Sequence, residues 1–256
     1  MIQEAGDPNQ LGIAVQGNAG VLVPVTNQLS GGRLGGVINF REQMLDPSSN
    51  SLGLVAISMG NFVNEQHQRG MDLNGVLGLD VFSVAQPQVL TVAGTPGNVS
   101  VAFDDVSQLT NSDYKLRFNA GTWELTNKLT GQNIAMTGTG SAVDPFIAEG
   151  MSIEIAAAPA NGDTYLLRPT RNGAMDMQMV LANSRQIAAA APVRSVAATA
   201  NTGTGIITAG SVADINNAVF QATPGQLSPP ILVRFTSGTS YDIYDNTNAA
   251  SPVLLE

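Results

Sequence analysis

The stretch from Gly31 to Phe82 reads GGRLGGVINFREQMLDPSSNSLGLVAISMGNFVNEQHQRGMDLNGVLGLDVF, and it decides the expected fold. Its apolar residues recur, from Leu52 onwards, at the i, i+3, i+4, i+7 spacing of one helix face. They are Leu52, Val55, Ala56, Met59, Phe62 and Val63. We therefore predict a helix in this region and expect this face to be buried.

The ends of this helix also have sequence signals. Asp46-Pro47 has the form of an N-cap followed by proline at the first helical position, which predicts a helix start. Gly70 follows His67 and Arg69, the order expected where a helix ends. Upstream, the same period is carried by Leu34, Val37, Ile38, Met44 and Leu45. This part is either a shorter helix or the near half of one helix that is kinked at Pro47.

Composition bounds the class of protein. The 256 residues are 43% hydrophobic and 12% charged, which is typical of globular domains with real cores. A formal net charge of −9 argues against nucleic-acid binding, which needs a basic surface. We expect no membrane insertion, because no apolar run approaches the roughly 20 residues that a span requires. The N-terminus shows no signal peptide, and the absence of cysteine is compatible with export in an unfolded state.

Outside the helical block the pattern is that of β-structure. Residues 10–25 predict two short strands around a turn at 17–20. From Gln88 to Pro169, apolar residues alternate with polar ones, as in the predicted hairpin Tyr114–Thr126, which favours a sandwich or partly closed barrel. Asn172–Ala191 is predicted to return to helix, and its packing residues would be Met177, Val180, Leu181, Ile187 and Ala188.

A weak internal similarity appears after Pro192. Val233-Arg234-Phe235 with Tyr241–Asn246 resembles Val101-Ala102-Phe103 with Tyr114–Asn119, which predicts a second β module of related build. This module is either incomplete or closes against the first. We therefore expect an α+β, multi-domain fold. A small helical domain with a β-hairpin occupies residues 1–84, a mainly antiparallel β module 85–191, and a second one 192–256.

The order of short segments in the helical block resembles a known family. GGRLGG, FRE, LDP and FVNEQHQRGMDLNG are similar to the FlgK family of flagellar hook-associated proteins, which form the junction between hook and filament. Gly162–Thr170 and Ala182–Pro192 also resemble that family. Glu42 departs from its pattern, where Asp is frequent, as does Asn183-Ser184, where Asp-Pro is frequent. The motif residues are Gly32, Leu34, Gly36, Phe40, Arg41, Asp46, Asn64, His67, Gly70, Asp72, Gly75 and Phe82.

The resemblance implies a structural protein of the bacterial flagellum that self-assembles and has neither enzymatic activity nor a cofactor. It implies export through the flagellar type III apparatus, an extracellular location and a role in motility. The implied partners are further copies of the protein, the hook protein, the second hook-associated junction protein and an export chaperone. Family members carry terminal helical segments that drive polymerisation. We see no long heptad run before Gln10 or at Glu256, so we expect a chain trimmed at both ends that is soluble and monomeric.

Other functional classes rest on few residues. A hydrolase would need His67, the only histidine, with Glu65 or Asp72 nearby, although a histidine in the last helical turn is usually structural. An extracellular β-rich adhesive or carbohydrate-binding module would use Trp123, which is more often a core residue.

Metal and phosphate sites have weaker signals still. Zinc is disfavoured by one histidine and no cysteine. Asp104-Asp105 and Asp242, Asp245 and Asn246 lack the spacing of a calcium loop and fit turns instead. GGRLGG is not a phosphate-binding loop.

Overall fold

The computed structural model describes residues 2–4, 7–16, 22–91, 98–193, 195–199, 201–204, 206–208, 210, 214 and 229–255. The α-helices are α1 (Gly32–Phe40) and α2 (Asp46–Gln68). Short 3-10 turns occur at Thr26–Gln28, Val106–Gln108 and Ser184–Gln186. The strands are β1 (Ile2–Glu4), β2 (Asp7–Gly12), β3 (Ala14–Gln16), β4 (Leu22–Pro24), β5 (Phe82–Ser83), β6 (Gln88–Thr91), β7 (Val99–Phe103), β8 (Tyr114–Asn119), β9 (Thr122–Asn127), β10 (Asn133–Ile134), β11 (Phe146–Ala148), β12 (Met151–Ile155), β13 (Thr164–Arg168), β14 (Gln178–Met179), β15 (Ile231–Phe235), β16 (Tyr241–Asp245) and β17 (Val253–Leu254). None of the helices in these ranges has the length and apolar character needed to cross a membrane.

The two helices form one continuous helical run. Arg41–Leu45 between them is a π-helical segment, and Asp46 has helical dihedral angles of φ −64° and ψ −50°. The predicted N-cap at Asp46 is therefore wrong. The upstream part is the near half of one helical run, and the irregular segment of that run is Arg41–Leu45, before Pro47, where the sequence predicted a kink. A proline ring inside an α-helix clashes with the carbonyl four residues earlier. The wider π turn just before Pro47 places the proline inside the run without ending it.

The chain divides into two compact units. The first consists of Met1–Asn61 and Val84–Gln178, and the second of Phe62–Ser83 and Met179–Glu256. In the first unit, β1 pairs with β2, and β3 pairs antiparallel with β4 in the predicted hairpin. The predicted turn of that hairpin, at residues 17–20, lies outside the described residues.

Two antiparallel sheets build the core of the first unit. The larger has the strand order β10-β9-β8-β13-β6, and the smaller β11-β12-β7. Both contribute to one buried cluster, as expected for a sandwich, because alternate residues of each strand point inward. The cluster contains Ile57 of α2 together with Leu109, Tyr114, Leu116, Leu125, Ala148, Met151, Ile153, Tyr165 and Leu167.

The central hairpin of this core is set by its turn. β8 pairs with β9 in the register Leu116↔Leu125, and two residues connect the strands. Ala120 and Gly121 have φ angles of 49° and 87°. Two successive positive φ angles match the twist of an antiparallel hairpin, which explains the glycine at this turn. The predicted hairpin is confirmed.

The helix predicted for Asn172–Ala191 is wrong. The backbone of this segment bonds instead to the loop that follows α2, within the second unit. The N–H of Met71 donates to the Ala190 carbonyl over 2.8 Å, and that of Val180 donates to the Val81 carbonyl over 2.8 Å. The N–H of Leu73 likewise donates to the Arg185 carbonyl over 3.1 Å. Because partners distant in sequence take these backbone groups, the segment stays extended around one short 3-10 turn.

The described C-terminal part of the second unit is a three-stranded antiparallel sheet with the order β15-β16-β17. Its strands include Val233–Phe235 and Tyr241–Asp245, where the sequence predicts them. Most of residues 211–228, which the sequence assigns to the same module, lies outside the described residues.

Candidate assembly surface

Eight large apolar side chains of the first unit project from the helical run into solvent. Each is between 50% and 63% exposed. We call this set the apolar helix face: Leu34, Val37, Phe40, Met44, Leu45, Leu52, Val55 and Met59. Single exposed apolar residues are common on proteins, but a stripe of this length on one helical run marks a surface for another molecule or segment.

This exposure reverses the expectation that the apolar stripe of α2 is buried. Of the six residues in that prediction, Ala56 is buried and Val63 is half-buried, whereas the other four are exposed. The buried side of the helix consists instead of small and polar residues and one large apolar residue, Ile57, at the same helical period. They are Asn50, Gly53, Ala56, Ile57, Gly60 and Asn64. The predicted helical period of α2 is therefore confirmed, but the face predicted to be buried is wrong.

Small residues let α2 approach the β sandwich within backbone contact. A Cβ added at Gly53 would lie 1.7 Å from the Thr170 carbonyl oxygen and 3.3 Å from the Gly173 nitrogen. Gly173 is similarly close, since a Cβ there would lie 2.4 Å from the Gly53 oxygen. Ile57 then reaches into the core cluster. The contact needs glycine at both positions, because any side chain would separate the two backbones.

An ionic network fixes the same side of the helix to the sandwich. Arg171 donates from Nη1 to Asp46 over 2.5 Å, from Nη2 to Asp113 over 2.6 Å and from Nε to Asn50 over 2.6 Å. Asn50 in turn donates to Asp113 over 2.9 Å. Asp46 and Asn50 are one helical turn apart, so one guanidinium satisfies both of them and a loop carboxylate.

Asp113 is the buried carboxylate of this network. Burial raises the pKa of the Asp113 carboxyl, while the charge of Arg171 and the hydrogen bond from Asn50 act in the opposite direction. Arg168 Nε lies 3.6 Å from the same carboxylate. A carboxylate in such a site depends on its cations, and the network therefore serves to position α2.

The last turns of α2 bind the returning loop in the second unit. Asn64 accepts backbone N–H bonds from Val81 and Phe82, each over 2.9 Å, and donates to the Phe82 carbonyl over 2.8 Å. His67 Nδ1 lies 2.6 Å from the Leu79 carbonyl oxygen, and its Nε2 accepts the Ala188 N–H over 2.8 Å. This pattern assigns the proton to Nδ1. Asn64 and His67 thus supply hydrogen-bond partners to backbone groups of the loop after α2 and of Ala188.

Asp72 organises the tight turn at the start of that loop. Its carboxylate accepts N–H bonds from Asn74 over 2.7 Å and Val76 over 3.1 Å. Gly75 has a φ of 79°, which glycine adopts readily. Burial by itself raises the pKa of Asp72, but the hydrogen bonds from Val76, Asn74 and Gly75 outweigh it and lower the pKa below its usual value.

We expect Asp72→Asn to lower stability at pH 7 and to flatten its acid dependence. A carboxyl whose pKa is lowered on folding contributes stability above its unfolded pKa of about 3.9 and loses it as the pH falls through the folded pKa. Urea unfolding at pH 7 and at points below pH 4 measures both effects. Leu73→Asn, at an exposed neighbour, is the control and should leave the pH dependence unchanged. If the free energy of unfolding changed with pH equally in Asp72→Asn and in the unmodified chain, the lowered pKa of Asp72 would be contradicted.

The motif residues fall into two structural groups. Gly32, Leu34, Gly36 and Phe40 lie on α1, Arg41 lies in the π segment and Asp46 begins α2. The second group surrounds the returning loop: Asn64, His67, Gly70, Asp72, Gly75 and Phe82. The structure joins Asn64 to Phe82 directly. It does not bring the motif residues into one cleft.

Sequence reasoning missed the network residues Asn50, Asp113 and Arg171. Arg171 is 121 residues from Asn50 and 58 from Asp113 along the chain. No local pattern signals such a contact, since each partner by itself looks like an ordinary surface residue.

The residues behind the alternative functions have structural partners. The Trp123 ring lies 5.1 Å from Phe118 and 6.0 Å from Tyr165, centroid to centroid, and it is partly buried against the core cluster. Both nitrogens of His67 are bonded to backbone groups, which leaves neither available as a general base. Within the described ranges, no three His, Cys, Asp or Glu side chains form a group that could hold a metal ion.

An open cleft of about 770 Å³ lies in the second unit beside the end of α2. It is lined by Phe62, Gln66 and Arg69 and by the alanine-rich segment 188–192. A small-molecule site combines apolar walls with several convergent polar groups. Here Gln66 and Arg69 are the polar side chains besides the already bonded His67, so the lining indicates no particular ligand.

Two family models match this chain, one over its helical part and one over its first β part. Residues 1–82 match the family model of the flagellar hook-associated protein FlgK helical domain. Residues 91–169 match that of the flagellar hook-associated protein 1 D2-like domain. Flagellar hook-associated protein 1 of Escherichia coli (strain K12) is 30% identical over 192 residues, which cover 74% of this chain and 35% of that protein. Its counterpart in Salmonella typhimurium is 28% identical over 193 residues, with 74% and 34% covered.

The fold has a solved counterpart. The structure of the flagellar hook junction protein FlgK from Burkholderia pseudomallei superimposes with a TM-score of 0.76 at 30% identity, covering 95% of this chain and 44% of that one. This chain thus spans about a third of the length of the curated relatives it matches. Two domain models, the curated relatives and a structural match over 95% of this chain all agree, and the chain belongs to the FlgK family of flagellar hook-associated proteins.

Proposed function

We propose that this protein is a structural component of the bacterial flagellum, located at the hook–filament junction, where it acts by helical self-assembly. The observation that carries the proposal is the exposed apolar helix face, on a chain whose relatives are flagellar hook-associated proteins. The role is mechanical and not enzymatic. Its partners are further copies of the protein, the hook protein and the second hook-associated junction protein.

The geometry of the apolar helix face favours a helical partner. Leu45, Leu52 and Met59 are seven residues apart, and Val55 lies between the last two at the other heptad position. This is the spacing by which side chains of one helix insert between those of another. A helix packed there would bury residues that are now more than half exposed, and each fully buried apolar side chain contributes about 1.5–3 kcal/mol.

The network under the helix supports the same role. Gly53 and Arg171 hold α2 against the sandwich by backbone contact and hydrogen bonds, so the apolar helix face is already formed. A preformed surface loses less conformational entropy on binding than a flexible one. Contacts of this kind, repeated head to tail between identical copies, generate rings or helical layers.

Further parts of the proposal follow from family membership. The protein is exported through the flagellar type III apparatus with the help of a chaperone and lies outside the cell. Residues 1–84 form the helical region that makes the assembly contacts. Residues 85–191 and 192–256 form the first and second β modules. The family-motif residues, from Gly32 to Phe82, are structural.

The test is a charge placed on the apolar helix face. We expect Val55→Lys combined with Met59→Lys, in the full-length flagellar protein, to abolish assembly with hook and filament proteins and to stop swimming. Folding should be unaffected, because both side chains are exposed and surface substitutions change stability by about 0.5 kcal/mol or less. Electron microscopy of flagella, a motility assay and circular dichroism measure these three effects.

Ser58→Lys is the matched control, because Ser58 is exposed on α2 outside the apolar helix face. It should assemble normally. If the double variant also assembled and supported swimming, the proposed assembly role of the apolar helix face would be contradicted.

A further inference from the structure

The three strands β15, β16 and β17 repeat the arrangement of β8, β9 and β10. In the first unit the consecutive cross-strand pairs are Phe118↔Trp123, Arg117↔Glu124 and Leu116↔Leu125. In the second unit they are Phe235↔Tyr241, Arg234↔Asp242 and Val233↔Ile243. Both hairpins thus carry an aromatic pair next to the turn, then an arginine opposite a carboxylate, then an aliphatic pair.

The similarity extends to geometry beyond the pairing. The aromatic centroids are 5.1 Å apart in the first hairpin and 6.1 Å in the second. At the end of the second strand, Asn127 accepts the N–H of Leu129 over 2.9 Å, and Asp245 accepts that of Thr247 over 2.8 Å. In both cases the chain then turns to add a short third strand antiparallel to the second. Four agreements of this kind indicate one module used twice.

This assignment corrects the repeat expected from the sequence. That expectation paired Val233–Phe235 with Val101–Phe103, which lies in β7. β7 and β8 belong to different sheets, whereas β15 and β16 are neighbours. The counterpart of β15 is therefore β8.

The edge of β15 that lies opposite β16 has no strand partner among the described residues, and we call it the free edge. The backbone N–H of Thr236 donates to the Ser240 carbonyl over 3.0 Å, and that of Asn246 donates to the Pro230 carbonyl over 2.7 Å. Because hydrogen-bonded pairs alternate along an antiparallel ladder, Leu232 and Arg234 bond to β16. The backbone groups of Ile231, Val233 and Phe235 consequently face the other edge, where no strand pairs with β15 in the described part of the chain.

In the first unit the corresponding edge is occupied. Leu116, the counterpart of Val233, is paired with Tyr165 of β13, and Phe118 donates to the Asp163 carbonyl over 2.9 Å. β13 presents Tyr165 and Leu167 to the core on alternate positions. The edge of β15 has the same hydrogen-bonding phase and carries half-exposed apolar side chains, with Ile231 at 40% and Phe235 at 47%.

We propose that β15 is an internal strand of a second, larger sheet, and that its free edge binds an antiparallel strand that follows residue 256 in the protein. This strand is the counterpart of β13 and has apolar residues opposite Ile231 and Val233. The position follows from the order of the repeat, since β13 begins roughly thirty residues after β10 ends. The Burkholderia pseudomallei structure is more than twice as long as the part this chain covers, which leaves room for such a strand. The inference does not depend on the proposed function.

Amide hydrogen exchange tests this directly. In residues 1–256, the N–H groups of Ile231, Val233 and Phe235 should exchange freely, while those of Leu232 and Arg234 are protected by β16. In the protein extended by its native downstream sequence, the N–H groups of Ile231, Val233 and Phe235 should exchange at least about tenfold more slowly than in residues 1–256. Leu116 and Phe118, already paired on both sides, are internal controls and should be protected equally in both proteins.

Proline substitutions provide a second readout. Val233→Pro removes an N–H that faces the free edge, so residues 1–256 should tolerate it and the extended protein should be destabilised. Arg234→Pro removes a bond to β16 and should destabilise both proteins. Unchanged exchange of Val233 in the extended protein would overturn the proposal. So would protection that arises in residues 1–256 alone and increases with protein concentration, because the edge would then bind a second copy.

Discussion

Replacing Gly53 by alanine is expected to destabilise the first unit by about 3 kcal/mol, the upper end of the cost of overpacking. The added methyl group would lie 1.7 Å from the Thr170 carbonyl oxygen. A backbone oxygen cannot rotate away as a flexible side chain can, so α2 must shift off the sandwich. That shift also strains the bonds from Arg171 to the helix and loosens Ile57 in the core. Urea unfolding at pH 7, compared with the unmodified chain, measures the loss.

Gly36→Ala is the matched control for this substitution. Gly36 lies in α1 with nothing within 4 Å of an added Cβ. Alanine there should stabilise the helix by about 1 kcal/mol, because it has the higher helix propensity. The two glycine-to-alanine changes thus have opposite expected signs. If Gly53→Ala stabilised the chain as Gly36→Ala does, the close contact between helix and sandwich would not exist.

Arg171→Met is expected to cost about 3–5 kcal/mol at pH 7, since it leaves a buried carboxylate without its main cation. Asp113 is almost fully buried, and Asp46 loses the same partner. The charge of Arg171 opposes the effect of burial on the pKa of Asp113, so its removal raises that pKa further. The folded variant then binds a proton at a pH where the unfolded chain does not. Its deficit should therefore shrink as the pH falls towards 4.

Two comparisons make this prediction specific. Asp113→Asn in the Arg171→Met background should recover part of the loss, because the unpaired charge is gone. Glu42→Gln breaks the more exposed pair between Arg41 and Glu42, which are 3.6 Å apart, and should cost about 1 kcal/mol or less. A loss for Arg171→Met as small as that for Glu42→Gln would show that the network contributes little to the position of α2.

The sequence by itself determined the features that depend on neighbours along the chain. Alternation of apolar and polar residues predicted the hairpin Tyr114–Thr126, because the two strands and their glycine turn are contiguous. Helical periodicity and Gly70 predicted where α2 lies and ends. The order of short motifs around Asn64 and His67 indicated the family.

Only the tertiary structure decided which side of the helix is buried. Two stripes on α2 have the same period, one of large apolar residues and one that includes Asn50 and Gly53. A hydrophobic pattern selects the first, yet the sandwich packs against the second. The reason is that Gly53 and Asn50 are buried by partners more than a hundred residues away, namely Thr170 and Arg171. The same holds for Asn172–Ala191, whose helical pattern is overridden by backbone bonds to the loop after α2. Local periodicity fixes what a segment can form, and distant partners fix which of its groups are left to contact other molecules.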